Sequence, residues 1–159
     1  MRQELAQLGS GAHALAIQIL GNPDDAADAV HDSLATALER QHTYDARKGP
    51  LKPWFLRMVR NRCIDLLRKR RPTDDRVDEI ADTGNSPEKA AEDADRDRIL
   101  KLALESLESD QRQIVVLRDY MDLTYAQIAE VLDIPAGTVM SRLHRARVAL
   151  GKAYREHDE

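Results

Sequence analysis

Apolar residues recur along the chain at helical spacing. Ala12, Leu15, Ala16, Ile19 and Leu20 fall three or four residues apart and stop at Gly21-Asn22-Pro23, which predicts a helix over 12–20 and its end. A second helix is expected after Asn22, with Pro23 at its first position, where a missing N–H is no loss. Asp24, Asp25 and Asp28 then complement the positive end of the helix dipole. Its inward stripe is Ala26, Val30, Leu34, Ala37 and Leu38, which leaves Asp25, Asp28 and Asp32 turned outward. Residues 42–53 contain Gly49, Pro50 and Pro53 and read as a loop. From Trp54 to about Arg70 the pattern predicts one amphipathic helix, with Phe55, Met58, Val59, Arg62-Cys63, Leu66 and Leu67 inward. Pro72 ends it.

The next stretch, 72–95, is polar and acidic and carries Gly84, Asn85, Ser86 and Pro87. It holds too little apolar surface to order itself and reads as a linker. Helical spacing returns near Arg96 with Ile99, Leu100, Ala103, Leu104 and Leu107 on one face. Ser109 or Asp110 is positioned to cap a following helix that carries Ile114, Val115, Leu117 and Arg118. Neither half shows strand-like alternation. The expected fold is therefore all-α, two small helical domains joined by a flexible linker, with bounds 1–71, 72–95 and 96–159.

The most specific local pattern lies near the carboxyl end. Thr124-Tyr125-Ala126-Gln127 has the form of a capping box, opening a short helix with Ile128, Ala129 and Leu132 inward. Asp133-Ile134-Pro135 makes a turn, and a longer helix begins near Ala136. At 100° per residue Val139, Leu143, Ala146 and Leu150 share one stripe, while Gly137, Ser141, His144, Arg145 and Val148 lie opposite, flanked by Thr138 and Arg142. Two short-turned helices with a basic outer face on the second describe a helix-turn-helix, whose second helix enters the major groove. An Arg there can donate two hydrogen bonds to a guanine edge, and Ser or Thr can bond base or phosphate. Arg147 lies nearer the core stripe and suits a phosphate or an acidic neighbour.

Composition narrows the picture. The chain has 159 residues, 42% apolar but only 4% aromatic, so its cores rest mainly on Leu, Ile, Val and Ala. No run approaches the roughly eighteen apolar residues of a membrane span, and no signal-peptide pattern opens the chain, which points to a cytoplasmic protein. Cys63 is the only cysteine, which excludes an internal disulfide and a multi-cysteine zinc site. The five histidines accompany no carboxylate at metal-ligand spacing. Nothing suggests a nucleophile or a phosphate-binding glycine loop, so neither cofactor nor enzymatic activity is expected.

The net charge of −4 hides a segregation. Residues 1–46 carry −5, 47–71 carry +9, 72–97 carry −7 and 98–159 carry −1. A strongly basic block beside an acidic one is a candidate for polyanion binding, although an exposed helix face gives the same signature.

These features together resemble the bacterial sigma-70 family, in the extracytoplasmic-function type that retains only regions 2 and 4. Leu20-Gly21-Asn22-Pro23-Asp24-Asp25-Ala26-Ala27-Asp28 resembles the entry to region 2. Trp54-Phe55-Leu56-Arg57 and 60–68 (RNRCIDLLR) resemble the promoter-melting helix, and 132–147 (LDIPAGTVMSRLHRAR) resembles the region 4 recognition helix. The resemblance implies binding to core RNA polymerase, through the clamp of the largest subunit and the flap, and reading of promoter DNA at a duplex −35 element and a melted −10 element. It places Thr138, Met140, Ser141, Arg142, His144 and Arg145 at the −35 element. Asn61 and Asp65 match positions near the captured −10 bases. Tyr44, Arg47, Lys48, Arg57, Arg60 and Arg68 would add charge and stacking around a base whose extrusion costs a few kcal/mol, and Trp54 beside them is either a stacking platform or, the commoner role, a core or helix-entry anchor. Asp25, Asp28, His31 and Asp32 would face the clamp, and an anti-sigma factor is an expected partner.

Several residues depart from the family pattern. His31 stands where Gln is usual, Leu34 and Leu38 where aromatics are usual, and Met140 where a basic residue is frequent. The amino terminus starts part-way into the family's first helix. Two other readings remain: a helix-turn-helix regulator with a sensing amino-terminal half, or a sigma-like decoy for an anti-sigma factor. The block from Trp54 to Arg71 separates them, since neither alternative needs a groove for melted DNA.

Overall fold

Asn22 shows how closely the sequence dictates the local structure. Its side chain accepts hydrogen bonds from the backbone N–H groups of Asp24 at 2.8 Å and Asp25 at 3.1 Å. Gly21 before it takes the left-handed conformation (φ 74°) that closes the preceding helix, a turn that a side chain would strain. The computed structural model describes residues 1–70 and 90–158. Those residues form helices α1 (Arg2–Gln7), α2 (Gly9–Leu20), α3 (Pro23–Glu39), α4 (Leu51–Lys69), α5 (Ala90–Glu105), α6 (Ser109–Val115), α7 (Tyr125–Leu132) and α8 (Ala136–Asp158). No strand occurs among them, and the fold is all-α.

The amino-terminal lobe packs α2, α3 and α4 pairwise against one another. Ala12, Leu15, Ala16, Ala26, Ala29, Ala37, Phe55, Leu56, Val59 and Cys63 are buried. Alanines fill the close helix crossings, so the lobe manages with a single phenylalanine. Leu34, Leu38, Met58 and Leu66 are only half-buried, and Leu67 is exposed rather than inward. The loop read over 42–53 is partly helical. It holds two 3-10 turns, Gln41–Thr43 and Ala46–Lys48, and α4 starts at Leu51, since Pro53 is harmless in a first turn.

The carboxyl-terminal lobe wraps α5, α6 and α7 around α8. Helix α5 reaches back to Ala90, earlier than the spacing predicts, with Glu92 and Asp93 in its first turn at the positive dipole end. The rest of the expected linker, 72–89, lies outside the described residues. Neither Ser109 nor Asp110 caps α6: Glu108 occupies the cap position without a side-chain bond. After α6 a π-helical turn runs over Val116–Tyr120. The Arg118 guanidinium ties it to α7, lying 5.1 Å from the Tyr125 ring centroid and donating to the Leu123 carbonyl at 2.7 Å. Thr124 forms the capping box in full, with Oγ1 accepting from Gln127 N–H and Gln127 Oε1 accepting from Thr124 N–H. Asp133 then takes the left-handed conformation (φ 55°) that turns α7 into α8.

Candidate nucleic-acid interface

Region 51–69 brings together most of the amino-terminal candidates. Asn61 and Asp65 lie one turn apart on α4 and are both exposed, as are Arg57 and Arg68. Beside the start of α4, the 41–50 loop is pinned in place: the Tyr44 hydroxyl donates to the Gly49 carbonyl at 2.8 Å. The Tyr44 ring sits 5.3 Å from that of Trp54, tilted by 48°. Both rings are half-buried, so Trp54 anchors the helix entry and still shows an edge to solvent. Arg47 is fixed to Asp45, donating from Nε at 3.1 Å. The same bond, with that from the Arg47 backbone, lowers the Asp45 carboxyl below its ordinary value. Arg47 is otherwise solvated, with 91% of its side chain exposed, and a pair of that kind yields readily to a phosphate.

The second candidate surface is the outer face of α8. Val139, Leu143 and Ala146 are buried as the spacing predicts, and Leu150 is half-buried. Met140, Ser141, Arg142, His144 and Arg145 are exposed, and Thr138 is half-buried. Gly137 has open space where a Cβ would stand. The Ser141 hydroxyl donates back to the Thr138 carbonyl at 3.0 Å, which leaves its oxygen as an acceptor. Arg147 is held by Asp119, with Nε donating at 3.1 Å. That bond raises its guanidinium above the ordinary value, so Arg147 takes the acidic-neighbour role.

The acidic candidates occupy a third place. Asp25, Asp28 and Asp32 line one side of a groove of about 380 Å3 between α3 and α4, with Leu20 and Leu66 at its base and Lys69 and Arg70 opposite. Arg70 bonds to Asp25 and donates to the Leu20 carbonyl at 3.0 Å. Arg62 bonds to Asp32 at 3.1 Å. Asp28 forms no ion pair among the described residues, and His31 is exposed. The lining thus combines two leucines with charged side chains of both signs, the composition of protein-docking sites.

The two lobes meet along a seam that the sequence did not reveal. Helix α4 packs on α7, and α2 on α6. Arg60 Nε donates to Gln113 Oε1 at 2.8 Å, and Arg57 lies 3.9 Å from the Asp133 carboxylate. Burial lowers the Arg60 guanidinium from its ordinary value, the Asp110 and Asp133 carboxylates oppose that, and Arg142 adds to it. Each lobe also serves the other's helix ends. Lys52 Nζ donates to the Met121 carbonyl at 2.6 Å, and Arg112 to the Gln18 carbonyl at 3.0 Å. A Cβ on Gly11 would come within 2.6 Å of Met121 Cε, so any other residue there would require the flexible end of Met121 to move. The hint in the sequence was Gln113, a polar residue among the apolar positions of α6. It is buried, with Nε2 donating to Ser109 Oγ at 3.1 Å one turn back and Oε1 accepting from Arg60 across the seam.

Comparison with known proteins finds two family matches in the chain. Residues 5–73 match the family Sigma-70 region 2, and residues 97–150 match Sigma-70, region 4. The RNA polymerase sigma factor SigV of Bacillus subtilis is 34% identical over 137 residues, covering 84% of this chain and 78% of SigV. The ECF RNA polymerase sigma factor SigW of the same organism is 28% identical over 156 residues, covering 91% and 83%. Among solved structures, the sigma factor RpoE in complex with the anti-sigma factor NepR from Bartonella quintana superposes with a TM-score of 0.76 at 26% identity, over 96% of this chain and 95% of RpoE. CnrH in complex with the cytosolic domain of CnrY shares the fold, with a TM-score of 0.66.

Proposed function

This chain belongs to the sigma-70 family, and from that premise we propose how its two lobes divide the work of promoter recognition. It is an extracytoplasmic-function sigma factor of regions 2 and 4, which binds core RNA polymerase and directs it to promoters. No helix among the described residues is long and apolar enough to cross a membrane. In our reading it works in the cytoplasm, on the nucleoid when bound to polymerase, and has no reaction of its own, since the polymerase makes the bonds.

Region 2, over 1–71, holds the melted −10 strand along α4. Asn61, which offers both donor and acceptor, and Asp65 face the captured base. Arg57, Arg60, Arg68, Arg47 and Lys48 follow its phosphates, and the Tyr44–Trp54 pair supplies the aromatic edge. Region 4, over 96–159, lays α8 in the −35 major groove, where Arg145 reads a base edge and Ser141, Arg142, His144 and Thr138 bond bases or phosphates. The groove of Asp25, Asp28 and Asp32 receives the polymerase clamp, with His31 at its edge, and region 4 receives the flap. An anti-sigma protein is a further partner, as NepR is for RpoE.

The observation that carries this reading is that two exposed polar faces, one on α4 and one on α8, sit on separate lobes and present different chemistry. In the closed arrangement Arg57 and Arg60 are engaged by the other lobe, so full use of α4 requires the seam to part on polymerase. Adding the purified chain to core polymerase is expected to give run-off transcription from a subset of promoters. Failure to bind core at low salt would reject the reading.

A further inference from the structure

The outer face of α8 is less uniformly cationic than its arginine count suggests. Arg147 is committed to Asp119. Arg142 is exposed, forms no ion pair or hydrogen bond among the described residues, and lies on the flank opposite Met140, where its charge helps lower the Arg60 guanidinium. The Ser141 hydroxyl donates its hydrogen bond to the Thr138 carbonyl. The large side chains that remain on the first three turns are His144, Arg145 and Met140, which form no ion pair or hydrogen bond among the described residues. Met140 is 64% exposed.

A single exposed methionine on an ordinary surface carries no message. This one is the fifth residue of α8, within the amino-terminal turns that a helix-turn-helix lays against base edges. Ala136 and Gly137 before it add almost no bulk, so the first turn can approach closely and Met140 is the first long side chain to arrive. It sits roughly 200° around the helix from Arg142, which puts it on the flank away from that residue. Its flexible, polarisable thioether arm adapts to an apolar partner and offers no donor to a phosphate. The one apolar group on a base edge in the major groove is the C5-methyl of thymine.

We propose that Met140 is a specificity-determining residue that packs against a thymine methyl in the −35 element, beside the base read by Arg145. This rests on the duplex-reading role of α8. The element would pair an arginine-read base with a neighbouring A·T pair, and the methionine contact would be insensitive to salt while the phosphate contacts are not.

The test uses holoenzyme made from the full chain and core polymerase. A −35 element is first selected from promoter fragments randomised at that segment. Each thymine is then replaced singly by deoxyuridine, which removes only the methyl group. At one thymine the replacement is expected to weaken binding by about three- to fivefold, the effect of one buried methyl group, equally at low and high salt. Met140→Ala should make that position indifferent to the methyl, and Met140→Leu should keep the preference. Equal methyl effects in the native chain and Met140→Ala would overturn the proposal, as would a selected element without A·T pairs. If Arg145→Ala leaves the selected sequence unchanged, the duplex reading itself fails and takes the Met140 assignment with it. If Arg145→Ala relaxes the selection and only the methyl arm is silent, the reading stands and the assignment alone falls.

Discussion

Arg60 on α4 and Gln113 on α6 are joined by a 2.8 Å hydrogen bond that crosses from one lobe to the other. The guanidinium proposed to follow the melted strand is thus engaged by the carboxyl-terminal lobe. The seam has an apolar part too, because buried side chains form one continuous cluster through both lobes. Yet Arg60, Lys52 and Arg112 each satisfy a polar group on the opposite lobe, and Arg57 faces a carboxylate there. These polar contacts have substitutes in water or on nucleic acid, which makes the seam separable in a way a purely apolar core is not.

Weakening those contacts should open the free chain. Asp133→Asn removes the charge facing Arg57 while keeping a residue that tolerates the left-handed conformation. Gln113→Ala takes away the acceptor of a half-buried guanidinium, a loss of about 1–3 kcal/mol. With dyes at positions 42 and 152, the double variant is expected to show longer inter-lobe distances than the native chain and tighter binding of a single-stranded −10 oligonucleotide. Unchanged distances would mean that the apolar part of the seam alone sets the arrangement.

The acidic groove makes a separate prediction about polymerase. Asp25 and Asp32 are already neutralised by Arg70 and Arg62, which leaves Asp28 as the open carboxylate. Asp28→Lys should slow association with core polymerase, more at low salt than at high salt. Its stability should stay within about 0.5 kcal/mol of the native chain, as for a surface change without partners. Binding kinetics at two ionic strengths, with a denaturant titration as control, decide this.

The helix-turn-helix depends on its first cap. Thr124→Ala removes the acceptor for Gln127 N–H while keeping the backbone N–H that donates to Gln127 Oε1, and should cost about 1 kcal/mol in urea unfolding. Thr124→Ser should restore most of it. Because α7 also packs on α4, the alanine variant should loosen the seam along with the duplex-reading unit.

Cys63 sets a pH dependence. Complete burial pushes its thiol up from 9.0 to about 11, so the folded chain favours the protonated form. That stabilising preference is intact below pH 9 and is lost as pH rises from 9 towards 11, where the unfolded thiol ionises and the folded one resists. The slope of unfolding free energy over that window should be shallower in Cys63→Ala, and the native thiol should resist alkylation until the lobe unfolds.

Local chemistry made much of this structure legible. Asn22 and Thr124 cap as their sequences announce, Gly21 and Asp133 turn the chain where expected, and the stripe of Val139, Leu143 and Ala146 is buried. The start of α4 was misjudged because Gly49, Pro50 and Pro53 look like a loop, whereas a proline in a helix's first turn is permitted. Ser109 does not cap because it is already the first residue of α6, with Glu108 in the cap position, and its hydroxyl bonds the Gln18 carbonyl of the other lobe, a partner some ninety residues away. The seam was illegible for the same reason. Lys52, Arg60 and Arg112 look in sequence like any exposed cations, and only the packing of α4 on α7 and of α2 on α6 gives them inward partners.

The most direct measurement compares Asn61→Ala and Arg145→Ala in holoenzyme, reading duplex affinity at the −35 element and strand opening at the −10 element in the same promoter. Asn61→Ala should impair opening and leave duplex affinity nearly intact. Arg145→Ala should weaken −35 binding by about 1–3 kcal/mol and leave opening, once bound, unchanged. Equal losses of duplex affinity in both variants would contradict the division of labour between the two lobes.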